Sequence, residues 1–576
     1  MTVGARPMIL VGSSPISTQL EGAVRRLEVR TDRLGPDSCQ LVLEDPTRDV
    51  LKRAGIDLQA KLTVKAGRVG AATGDQVFYG SVYSLQFDFD ELGSRSTVIA
   101  YDCSYRLYNG LHTATYQNLT DSDLAEQIAG EVGLDVGTID PTDVVHKHIT
   151  QMNETYFDLL ARRGREVNRV LMVRSNKLNF TEPTDAADGP APGDFDSRGP
   201  LQLVPGHNVE RLTTRITAAG QVMEVECRGW DPQTKQAVSA TATSRSTAAK
   251  LPDQPDQVAA KFDSPRHVTV KLPVATQAEC DALAASYAEQ LASGFMYAEG
   301  MAEGNPRIMA GVAVSLGQTG GGGRFDGQVT VSQAKHIWNK SGYHTWFVAS
   351  GGHDRSLRGL LGGTPQAGAQ LGGVVIGVVT NVSDEDDQGR VKVSFPWLQD
   401  DHETDWARVL QLGAGSNDKG GYGLRLLPQV GSEVLVGFEL GDPRRPVVIG
   451  SLYNGVDNPP FGNAVDKNAG TVIVTGLRTP AGHQLKFTDT PGKETIELST
   501  KDKNVSIVMN AASGGLSIDT GGDATIHIRG NANITADKNF TIEAPKGSGK
   551  ITAKNGLTLE GGTGVTVRGD SIALNP

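Results

Sequence analysis

The chain has 576 residues, 69 of them glycine, with 6% aromatics and a net charge of −11 at pH 7. A single core does not grow to that length, so several domains are expected. The acidic balance argues against a nucleic-acid binder or an anchor to an anionic membrane surface.

No apolar run reaches the length of a secretory leader core or a bilayer span, so synthesis in the cytoplasm without a signal peptide is expected. Cys39, Cys103, Cys227 and Cys280 are widely scattered and form no C-x-x-C pair. Buried free thiols fit that pattern better than disulfides or a metal site.

Residues 20 to 110 alternate apolar and polar side chains between turn residues, as in "AKLTVKAG" and "DQVFYGSVYSLQFDF", and predict a small barrel. A first helix begins at Asp121 or Ser122 and ends at Gly133. A second runs from Glu154 to a stop at Gly164. Strands resume from Leu201, an alanine-rich helix occupies 276 to 294, and further strands end in "SGYHTWFVASG". Residues 1–350 therefore read as two β-barrels with helical insertions, followed by a glycine-rich linker at 351–372. Five strands within 373–456, separated by turns such as Asp387-Gln388-Gly389 and Gly441-Asp442-Pro443, suit a small OB-like barrel. A connector at 457–484 leads to the last region, 485–576.

That last region repeats. Ile518, Ile526, Ile534, Ile542, Ile551, Leu559, Val567 and Leu574 follow one another at steps of 8, 8, 8, 9, 8, 8 and 7. Around most anchors the order is apolar, small polar, apolar, a period of two, and the joins are rich in glycine and asparagine. Fixed-period similarity of this kind marks a solenoid. About eight residues supply one short strand and a turn, too little to travel round a closed core and return. Three chains wound together would each supply one wall and bury the anchors on a common axis. The expectation is an intertwined trimeric β-helix with those eight residues as its core. The simpler alternative is a monomeric β-meander with hairpins.

The runs "GVVTNVSDEDDQGRVKVSFPWL", "WARV" and "GYGLRLLPQVGSEVLVGFELGDPRRPVVIGSLYNG" resemble the central barrel of VgrG-type spike proteins of contractile injection systems. "FYGSVYSL", "YDCSYRLYNG", "NLTDSDLAEQIAGEVGL" and "QMNETYFDLLARRG" resemble the hub of that family and of phage baseplate hubs, and are closer to free-standing phage-tail-like particles than to type VI secretion. The order of hub, barrel and repeating needle matches too. The resemblance implies a non-enzymatic homotrimer, a pseudo-sixfold hub on the inner tube and baseplate proteins, and a needle that crosses a target envelope transiently on sheath contraction. It also implies a PAAR-type tip protein, here on Ser571, Ile572, Leu574, Asn575 and Pro576, with effector cargo as a further partner. Such a particle acts in the cytoplasm or after release. No cofactor is implied.

Other chemistry is weaker. His146 and His148 form an H-x-H pair without an evident third ligand. Asp384 to Asp387 lack the alternating spacing of a calcium loop and read as a solvated turn. Gly320 to Gly323 lack the Lys-Ser/Thr of a phosphate loop and read as a hairpin tip. The main competitor to the spike is a polysaccharide-binding or polysaccharide-cleaving tailspike, since β-helices can host carboxylate pairs. Against it, the needle's acidic residues are isolated, and Phe487 and Phe540 are its two aromatics after Gly476.

Overall fold

The computed structural model describes residues 7–67, 74–91, 93–191, 199, 201–231, 233–262, 266–270, 272–351, 373–396 and 403–573. The fold is mainly β, and the chain divides into two units, Met1–Asn458 and Pro459–Pro576.

In the first unit an eleven-stranded sheet runs through both halves of the hub. Strands from the first 102 residues make one half. Val209–Ile216, Met296–Glu303, Gln333–Asn339 and Gly342–Ala349 make the other. The halves meet where Gln333–Trp338 pairs antiparallel with Leu27–Asp32. Two lobes thus share one hydrogen-bonded sheet while keeping separate cores, one around Leu27, Leu41 and Val98, the other around Val314, Val331 and Phe347.

Each lobe carries an insertion with its own apolar cluster. In the first, Asp121–Glu131 and Tyr156–Glu166 pack with short sheets around Leu124, Ile128, Leu160 and Phe180. In the second, the helix Gln277–Ser293 covers a three-stranded sheet. The helix starts follow local chemistry. Thr120 and Thr276 close capping boxes with Asp123 and Glu279, and the Thr155 hydroxyl accepts the Asp158 N–H at 3.1 Å.

Gly164 does not stop its helix, which continues to Glu166. A β-carbon there would sit 2.7 Å from the Arg169 carbonyl oxygen and 3.1 Å from the Phe180 ring, so close approach, not termination, requires the glycine.

All five strands read in the barrel region are present: Val374–Asn381, Lys392–Ser394, Arg408–Val409, Glu433–Phe438 and Pro446–Ser451. The outer members are bridged at Val391–Ala407 and Ser394–Glu403, which closes the sheet on itself. Alternation along the strands sends Val391, Val393, Phe395, Val434 and Val436 inward, each fully buried. The glycine-rich linker lies outside the described residues, apart from Gly351.

The second unit begins at Pro459 and holds a five-stranded antiparallel sheet in consecutive order: Val474–Arg478, Gln484–Thr488, Thr495–Ser499, Val505–Asn510 and Gly515–Thr520. Its first strand lies inside the stretch read as a connector, because "VTGLR" pairs with "QLKFT" across a tight turn. Among the described residues no strand follows Thr520.

Candidate assembly surfaces

The register of the C-terminal sheet sorts its side chains by face. Leu477, Leu485, Leu498, Ile507 and Ile518 stand opposite one another across the five strands. Phe487, Ile496, Met509 and Leu516 form a second row on the same side. The opposite face carries Lys486, Glu497, Gln484, Ser499, Ser506 and Asp519, with Gln484 and Ser499 donating to Glu497 at 3.0 and 2.9 Å. One face is therefore apolar over its whole width, and the other is mainly polar, with Val474 and Val508 as its apolar members. Seven of the nine apolar side chains are 36–67% exposed. A continuous apolar face of this size marks an association surface.

Ile518 joins this face as a member of the fifth strand. Ile526, Ile534, Ile542, Ile551, Leu559 and Val567 lie beyond it, and all are exposed. Of the residues assigned to the tip, Ser571 and Ile572 are exposed, while Leu574, Asn575 and Pro576 lie outside the described residues. Past Gly521, one backbone–backbone hydrogen bond is made among the described residues, from Gly547 N–H to Ala544. The meander weighed above is what the chain forms up to Thr520. The eight-residue repeat beyond it makes no ladder with its own chain. The eight other members of the apolar face were not singled out in the sequence. Their signal was the period-two alternation of "QLKFT", "TIELS", "VSIVM" and "GLSID".

In the first unit a buried ionic network joins the hub to the barrel. The Arg163 guanidinium donates to both Asp121 oxygens at 2.6 and 2.9 Å, and both partners are almost fully buried. Its other arm reaches Glu166. Glu166 also faces Arg444 of the barrel at 3.3 Å, and Arg444 forks onto Asp442 with its closest contact at 2.8 Å. Arg445 lies 3.5 Å from Glu279 on the alanine-rich helix. Burial alone would raise the Asp442 carboxyl, but the Arg444 charge holds it down to about 2. The same competition, won by Arg163, holds Asp121 well below the usual carboxylate range.

His146 belongs to this network, with Nε2 2.7 Å from Arg163 Nη2 and 3.1 Å from Asp121 Oδ2. Asp384 is not a solvated turn residue. It receives the Arg390 guanidinium, at 2.6 Å for the shortest contact, together with the backbone N–H groups of Gln388 and Arg390. Gly321–Gly323 form a short turn between the paired strands Ala313–Leu316 and Gly327–Thr330, a hairpin tip. A small cavity in the hub is lined by Asp32, Asp37, Asp102 and Arg174. There burial, with the Asp37 carboxylate second, pushes Asp102 up to about 8. Among the described residues no helix is long and apolar enough to cross a membrane.

Comparison with known proteins adds independent information. A family model described as the type VI secretion system/phage-baseplate injector OB domain matches residues 375–453, the closed five-stranded sheet. A second, described as the Alg8 N-terminal domain, matches residues 60–339. The actin cross-linking toxin VgrG1 of Vibrio cholerae is 35% identical over 143 residues, covering 23% of this chain and 13% of that protein. The type VI secretion system spike protein VgrG1a of Pseudomonas aeruginosa is 33% identical over 136 residues, covering 22% and 20%. The match thus spans a fifth or less of these relatives. A solved chain of the half-lidded Francisella PdpA–VgrG complex is 11% identical, with a TM-score of 0.49 over 90% of this chain and 88% of that one. Through its injector OB domain the chain is related to the VgrG-type spike proteins, and the resemblance read from the barrel motifs is borne out.

Proposed function

We propose that this chain is the central spike and hub of a contractile injection system, acting as a homotrimer and without an enzymatic activity of its own. The observation that carries the reading is the apolar face of the C-terminal sheet, continued by apolar anchors about every eight residues that find no partner among the described residues. Three such faces turned inward would form a prism with the polar rows in water, and the anchors beyond Thr520 would complete an intertwined β-helix. The two lobes of the hub, repeated three times, would present a pseudo-sixfold ring to an inner tube and baseplate. The OB barrel would connect that ring to the needle, and the network around Glu166 would hold barrel and hub in one orientation under load. A PAAR-type protein at Ser571, Ile572 and the three residues after Ala573 would cap the tip. Cargo bound to the spike would travel with it through the target envelope, whether the particle acts from the cytoplasm or after release.

The mass of the purified full chain in solution, measured by light scattering, tests the reading. A particle of three chains that survives mild detergent is expected. A clean monomer at micromolar concentration, with the needle residues exchanging their amide protons freely, would overturn it.

A further inference from the structure

Cys227 and Cys280 are separated by more than fifty residues, and nothing in their spacing couples them. Folding brings them together. Cys227 lies on the strand Glu224–Asp231, in the sheet covered by the helix Gln277–Ser293, and Cys280 lies in the first turn of that helix. Both thiols are buried in one apolar cluster with Val274, Leu283 and Ala284. The Cys280 Sγ–H donates to the Cys227 carbonyl oxygen at 3.3 Å, which sets its thiol against the backbone of the other cysteine. Cys39 and Cys103 sit in two other clusters, apart from this pair and from each other.

We propose that Cys227 and Cys280 are a redox-responsive pair that closes to a disulfide when the folded hub meets an oxidising medium, stapling the alanine-rich helix to the sheet beneath it. With a small disulfide such as oxidised glutathione as oxidant, one protein thiolate attacks it and releases one glutathione thiolate. The second protein thiolate then attacks the protein sulfur of the mixed disulfide and releases the other. Two protein thiols lose two protons and two electrons, and one oxidised glutathione becomes two reduced ones. Burial pushes the Cys227 thiol up to about 12, so attack is slow in the closed hub and proceeds through local opening of the helix. The staple has a consequence for the joint with the barrel. Glu279, next to Cys280, both caps the helix and faces Arg445, so fixing Cys280 fixes that carboxylate as well.

The test uses the full folded chain, incubated in parallel in reduced and in oxidised glutathione until the thiol count is constant, alkylated, and mapped by mass spectrometry without reduction. Free thiols are expected to fall from the four of the sequence to two, with one crosslinked peptide pair joining Cys227 to Cys280. Cys39→Ser and Cys103→Ser should keep that crosslink, and Cys280→Ser should abolish it. The oxidised chain should melt several degrees higher than the reduced one, a difference absent in Cys280→Ser. Four free thiols after oxidation of the folded chain, glutathione adducts without the crosslink, or a crosslink through Cys39 or Cys103 would each overturn the proposal. The mapping of the Cys39 and Cys103 variants decides the matter even where Cys280→Ser does not fold.

Discussion

Val29, Leu41, Val98 and Phe347 reach zero exposure within one copy of the chain, and the first unit builds five apolar clusters of this kind. In Pro459–Pro576 the one buried residue among those described is Ser499, on the polar side of its sheet. The two regions use the same alternation of apolar and polar positions. They differ in what the alternation faces. In the hub and barrel, strands curl or pair until the apolar side meets another apolar side of the same chain. In the C-terminal sheet five strands in consecutive order leave one side uncovered. The same alternation that closes a core within the chain in one region thus leaves an apolar face open in the other.

That contrast can be broken most sharply at Leu498, in the middle of the apolar row. Leu498→Asp would place a carboxylate on each of three inward faces, without a partner, and should abolish association, so that the solution mass falls from three chains to one. Ile542→Asp should act in the same way further along the needle, and gel filtration reads both.

Arg163→Ala probes the opposite regime, in which one chain supplies every partner. It strands Asp121 in the interior and should cost about 3–5 kcal/mol of hub stability in denaturant titration, a loss independent of protein concentration. Leu41→Ala should cost about 2–5 kcal/mol in the same assay, again without concentration dependence. A concentration-dependent midpoint for either variant would erase the distinction between the regions.

A smaller effect is expected from pH. Asp102 has a folded value of about 8, above that of a carboxyl in the unfolded chain, so folding favours its protonated form. The stability it contributes is complete below about pH 4 and is lost as pH rises through 8. The hub of the wild type should therefore melt lower at pH 8.5 than at pH 5, and Asp102→Asn should narrow that gap. A gap of the same size in Asp102→Asn would remove this carboxyl from the account.

The smallest effect belongs to Thr541→Asp, at the position read as outward beside Ile542, which should leave the solution mass unchanged and the stability within about 0.5 kcal/mol of wild type. Equal behaviour of Thr541→Asp and Ile542→Asp would mean that the inward register is wrong.

Much of the fold was legible because it is local. The three hub helices, read near 121, 154 and 276, and the five barrel strands are each signalled by a short local run, although the threonines that cap those helices were not singled out. Gly164 misled, since a glycine that ends a helix and one that admits a neighbouring backbone read alike in sequence. The Asp121–Arg163–Glu166–Arg444 network was hidden because its directly bonded members lie up to 278 residues apart along the chain, and no local pattern couples them. The apolar anchors were found from their spacing. The larger face formed by Leu477, Leu485, Leu498 and Ile507 with Ile518 needed the register, which depends on the turns between strands.

The seam between the hub lobes has a mechanical meaning. Gln333–Trp338 and Leu27–Asp32 overlap over six residue pairs, with Gln333 donating to Asp32 at 2.8 Å and Lys335 lying 3.2 Å from Glu28. This is a lap joint. A pull along the strands strains all its rungs together, so it yields only when they fail at once. A pull across the strands peels them one at a time. A thrust transmitted along this direction would find the lobes behaving as one girder, while a sideways wrench would find their weakest line.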